Sequence, residues 1–70
     1  MQISTTDISR RILLAILAER TPGGSIQDAT RRAAFKANVE AEAKGWSVAA
    51  RAALLEDFAQ AGVSLVRVGA

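Results

Sequence analysis

The chain has 70 residues, half of them hydrophobic, with nine basic side chains against seven acidic ones and a formal charge of +2, which is enough for one small domain. It contains no Cys, no His and no Tyr, which excludes disulfides, thiolate or imidazole metal ligands, Ser-His and Cys-His nucleophile pairs and an imidazole general base. At this mass, surface scaling gives ~4,200 Å² folded against ~10,700 Å² unfolded, so only about 60% of the surface is buried and a second copy or a larger partner is the available source of further burial.

Taken in chain order, Ser4-Thr5-Thr6-Asp7 fits a capping box with Ser4 at the N-cap, and Ile3 and Ile8 stand at the two positions of a hydrophobic staple. A first helix is expected from about 5 to 20. Pro22 pushes Thr21 out of the helical region, and Pro22-Gly23 supplies the two central residues of a type II turn. Ser25 with Asp28 repeats the cap, and the stretch from Ile26 to Lys44 has no Gly or Pro, so a second helix is expected over about 26 to 44. Gly45 suits a left-handed C′ position, Trp46 the apolar residue after it, and Ser47 the N-cap of a third helix over about 48 to 61, with Gly62 as its stop. The β-branched run Val63-Ser64-Leu65-Val66-Arg67-Val68 reads as an extended C-terminal tail. The expected fold is all-α: three short helices plus that tail, in a homodimeric helical bundle.

The first helix carries apolar residues around most of its circumference. Ile8, Ile12, Ala15 and Ile16 share one face while Leu13, Leu14 and Leu17 cover much of the rest. Two further short helices do not easily wrap such an element, so Ile12, Leu13, Leu14, Ile16 and Leu17 are expected at a homodimer interface. In the second helix Phe35, Val39, Ala43 and Trp46 form an apolar row, and Asp28, Arg32, Lys36, Glu40 and Lys44 form a ladder of mixed sign that reads as a solvated face. In the third, Val48, Leu54, Leu55 and Phe58 are expected to face inward, flanked by Arg51, Glu56, Asp57 and Gln60.

No constellation supports catalysis. Glu56 and Asp57 are adjacent and project about 100° apart on a helix, which prevents convergence as an acid and base. Gly23-Gly24-Ser25 precedes a helix N-terminus but lacks both the dinucleotide fingerprint and a Walker lysine, and reads as a turn. No cofactor and no metal are expected. The run Ile12 to Ala18 after Arg10-Arg11 imitates a signal peptide, but seven apolar residues closed by Glu19-Arg20 are too short to span a membrane or serve as a secretory core, and a cytoplasmic location is expected. The pI of 9.9 reflects missing His and Cys more than a basic stripe. Seven Arg to two Lys and fifteen Ala point to a GC-rich genome, bacterial or phage.

Two segments resemble nucleic-acid binders. Ala59-Gln60-Ala61-Gly62-Val63-Ser64 is similar to the turn of a helix-turn-helix, but only six residues follow Ser64, too few for a recognition helix. Residues 1 to about 40 resemble the arrangement of ribbon-helix-helix repressors. That likeness implies a dimer in which Met1 and Ile3 enter a shared ribbon, Gln2 and Ser4 face bases, and Arg10, Arg11, Arg31 or Arg32 lie near phosphates. Against this stands an interaction reading: Arg31, Arg32, Phe35, Val39, Trp46 and Arg51 as a protein-binding set, because Trp and Arg concentrate in interface hot spots. In general character the chain looks like the short helical proteins that bacteria and phages use as anti-activators or inhibitors. The favoured expectation is a non-enzymatic module that binds itself and a larger protein, and the alternative is a DNA-binding regulator of ribbon-helix-helix-like arrangement.

Overall fold

The computed structural model describes the backbone of residues 5–69 and the side chains of residues 8–69. The expected capping box and staple, and the ribbon of the repressor-like reading, depend on Met1 to Ser4 and on the Asp7 side chain, which lie outside the described residues. Within them the chain is all-α, with three helices: α1 over Thr5–Ala18, α2 over Ile26–Ala43 and α3 over Val48–Arg67.

The connections follow the local chemistry. After α1, Thr21-Pro22-Gly23-Gly24 closes as a type II turn. The Gly24 N–H donates to the Thr21 carbonyl at 2.9 Å, and Gly23 takes the positive φ of +75° that this turn requires. The Ser25 hydroxyl accepts from the Asp28 N–H at 3.1 Å and caps α2. At the far end Gly45 sits at φ +84°, the Trp46 N–H reaches back to the Ala41 carbonyl and the Gly45 N–H to that of Glu42, each at 3.0 Å, which is a Schellman ending. Ser47 caps α3 through the Ala50 N–H. All these were legible as sequence signals.

Two expectations fail at the third helix. Residues 63 to 67 are helical rather than extended, and Gly62 does not stop α3 but lies buried inside it. The physical reason is a close crossing. α2 presents small residues to its neighbours, with Ala29, Ala33 and Ala41 all buried, so the antiparallel helices approach until Thr30 meets Gly62. A Cβ built on Gly62 would stand 2.6 Å from the Thr30 Oγ1 and 3.0 Å from its Cγ2. Gly in a helix interior costs about 1 kcal/mol against Ala, and packing on both flanks offsets that: Phe58 and Leu65 are buried one turn to either side. The helix-turn-helix likeness disappears with the turn, since Ala59 to Ser64 is continuous helix.

α1 lies across the α2/α3 hairpin and contributes Ile12 and Ile16 to a core completed by Ile26, Ala29, Ala33, Phe58 and Leu65. Ile16 is fully buried. Glu19, just past α1, ties that helix to α2 twice: its carboxylate accepts from the Lys36 ammonium at 2.8 Å and its carbonyl from the Arg32 guanidinium at 2.8 Å. Two members of the expected solvated ladder therefore hold tertiary structure, and a further ion pair joins Arg51 of α3 to Glu42 of α2 at 3.2 Å.

The crossing predicts a sign reversal. Gly62→Ala should lower the thermal midpoint, because overpacking of about 1–3 kcal/mol outweighs the propensity gain. In a Thr30→Ala background the same change should become neutral or stabilising. Circular-dichroism melts of the four chains check this, and a Gly62→Ala protein more stable than the parent would show that the crossing is not tight.

Candidate functional site

Because α2 spends small residues on the core, the chain leaves large apolar ones outside. Eleven remain exposed among the described residues: Ile8, Leu14 and Leu17 on α1; Phe35 and Val39 on α2; Trp46 at the hairpin turn; and Val48, Leu55, Val63, Val66 and Val68 at the α3 end of the chain. Contiguous exposed apolar patches, unlike single exposed residues, are a common feature of interaction sites.

The residues expected at a homodimer interface divide. Ile12 and Ile16 are consumed by the chain's own core and are withdrawn from any surface, and Leu13 is half-buried against that core. Only Leu14 and Leu17 are exposed. α1 is thus wrapped on one side by the α2/α3 hairpin, whose length the premature stop at Gly62 had underestimated. Val48 and Leu55, expected inside, are outside.

The expected partner-binding residues also separate. At 100° per residue, Phe35 and Val39 project about 180° and 220° from Ile26, away from the core, and Phe35 is 70% exposed. Arg31 precedes Phe35 by one turn. Its side chain is 79% exposed, and it holds only the Asp28 carboxylate, at 3.1 Å. Arg32 is exposed but engaged with Glu19. Trp46 is half-exposed in a different place, lining a small hollow with Ala37, Glu40, Ala41, Lys44 and Leu54. The Lys44 ammonium, 2.8 Å from Glu40, holds that carboxyl below the usual carboxylate range by hydrogen bonding and charge attraction. This exposed pair supports the helix only weakly, and its contribution fades as the pH falls through the lowered value. Arg51 is only 21% exposed, with its head on Glu42. It belongs to the hairpin rather than to a free surface.

Sequence reasoning missed one feature outright. Between α2 and α3, on the side away from α1, lies an apolar groove of about 630 Å³ floored by Gly62 and Ala59, walled by Val63 and Val66, and rimmed by Arg31 and Arg67. The signal was present as Leu55, Ala59, Gly62 and Val66, spaced by four, three and four residues. Reading Gly62 as a terminator concealed it.

Among the described residues no group of three His, Cys, Asp or Glu is placed to hold a metal, and no helix is long and apolar enough to cross a membrane. The chain matches no known family model, no curated protein and no solved structure.

The arginines should separate by mutation. Arg51→Ala is expected to lower stability by about 1 kcal/mol through the lost ion pair and the lost packing of its stem. Arg31→Ala should stay within about 0.5 kcal/mol of the parent. Urea unfolding followed by Trp46 fluorescence measures both.

Proposed function

We propose that this chain is a small non-enzymatic interaction module that binds and modulates a larger protein, as an adaptor, anti-activator or inhibitor. The observation that carries the reading is the outward ridge of α2. Phe35 is 70% and Val39 50% exposed, while the buried positions of α2 hold Ile26, Ala29, Ala33 and Ala41. Large apolar groups held on a rigid helix cost little entropy to immobilise on binding and supply the anchors that interfaces use. Arg31, one turn before Phe35, adds a flexible cation beside the anchor. In this reading Trp46 forms a neighbouring contact, Arg32 supports the ridge from its Glu19 attachment, and Arg51 sets the hairpin geometry. The chain lacks His and Cys, so it has no residues for a Ser-His or Cys-His nucleophile pair.

The test is capture from nuclease-treated lysate of the source cell, comparing the parent with a Phe35→Ser, Val39→Ser double variant. Both side chains are exposed, so the variant should melt within a few degrees of the parent and lose the captured protein. Equal capture by both chains would overturn this site. A ligand that disappears on nuclease treatment would favour the DNA-binding regulator instead, whose affinity would fall with salt and with loss of Arg10 and Arg11.

A further inference from the structure

We infer that the groove between α2 and α3 is a binding site for a small amphiphile with an apolar chain and one carboxylate head, a fatty acid in chemical class. The two arginines at its rim specify that occupant.

Charge complementarity is the first step. Arg31 of α2 and Arg67 of α3 both line the groove, from opposite helices, and no acidic side chain lines it. Arg31 gives the Asp28 carboxylate one hydrogen bond, at 3.1 Å, which leaves most of the donors on its guanidinium unused. Arg67 has no ion-pair partner among the described residues. Guanidinium groups present their N–H donors as planar forks, and a carboxylate is the planar acceptor that fits them through paired, charge-assisted hydrogen bonds. Gln27, in the first turn of α2, also lines this end of the groove, so the positive end of that helix adds to the same sign.

The rest of the lining determines the body of the ligand. Ala59, Gly62, Val63 and Val66 offer carbon and no side-chain polar atoms. Thr30, the polar residue among them, already donates its hydroxyl proton to the Ile26 carbonyl at 2.8 Å. An alkyl chain laid there gives up no hydrogen bonds, whereas an extended polar chain would leave water without recovering the bonds it lost. The volume of about 630 Å³ is that of a small-molecule site. From Ala59 to Arg67 the axis of α3 rises about 12 Å, the reach of an extended decanoyl chain with its head at the arginines.

The inference goes beyond the proposed function, since the groove shares Arg31 with that site but not Phe35, Val39 or Trp46. Calorimetric titration of the whole chain with decanoate, below its micelle-forming concentration, tests it, and amide shifts in nuclear magnetic resonance locate the ligand. Decanoate should saturate at one molecule per chain and move the amides of Gln27, Gly62, Val63 and Val66. Decyltrimethylammonium, which has a similar tail and the opposite charge, should bind about tenfold more weakly or worse. Arg67→Gln should weaken decanoate binding about tenfold, and Ala59→Phe, which fills the groove, should abolish it. If circular dichroism shows that Ala59→Phe does not fold, Val63→Glu makes the same test by placing a carboxylate in the groove at a residue that is exposed. The inference is overturned by the absence of saturable uptake, by equal affinity for the two head groups, or by unchanged affinity in Arg67→Gln or in the groove variant. Shifts centred on Leu14 and Leu17 or on Trp46 would overturn it as well, and so would a dimer that closes the groove to decanoate, because the occupant would then be a second copy. Arg67→Gln and Ala59→Phe leave Phe35 and Val39 in place, so their capture of a larger protein reports on the proposed function independently of this ligand.

Discussion

The contact on which the rest of this structure depends is Thr30 against Gly62. With no room for even a methyl group between them, α2 and α3 run close enough for alanines to fill the seam. The Thr30 hydroxyl is satisfied there by donating to the Ile26 carbonyl one turn back, at 2.8 Å, so the narrow crossing carries no unpaired hydroxyl. The backbone of α3 loses conformational freedom at Gly62, and burial of Phe58 and Leu65 on the same face compensates for it. Close approach by small residues also determines where the large ones go, because a seam built from alanine leaves little space for leucine, valine and phenylalanine.

This redistribution connects fold to function. α1 supplies Ile12 and Ile16 to the core, and is fixed at its end by Glu19, which receives Lys36 and Arg32 from α2. With α1 covering one side of the hairpin, no helix among the described residues lies over the opposite side. The exposed ridge and groove are surfaces that a second molecule can cover. The polar contacts follow the same division: Arg32, Lys36 and Arg51 hold helices together, whereas Arg31, Glu56 and Arg67 lie on the uncovered surface.

Most of the local structure was legible before any coordinates. Ser25 caps α2 as its spacing to Asp28 implied, Ser47 caps α3 as expected, Pro22-Gly23 turns the chain, and Gly45 with Trp46 ends α2 in the manner their order suggests. Each is decided within four or five residues by hydrogen bonding and allowed dihedrals. The misreadings lie where a residue's meaning depends on a distant partner. Gly62 has the same intrinsic preference as Gly45, yet one terminates a helix and the other permits a crossing. The difference is Thr30, more than thirty positions away. The β-branched run after Gly62 went astray with it, since burial of Leu65 overrides a modest strand preference.

The sequence by itself therefore determined the all-α class, the number of helices, the turns between them and the absence of imidazole and thiol chemistry, because these depend on composition and short-range geometry. Only the tertiary structure decided which apolar residues are core and which are surface. Ile12 and Ile16 could not be told from Leu14 and Leu17 on a helix apolar nearly all round, nor could Phe35 and Val39 be assigned a side while alanines competed for the interior. That choice belongs to how closely the helices pack, and the packing distance is fixed by a pair of residues that meet only after the chain has folded.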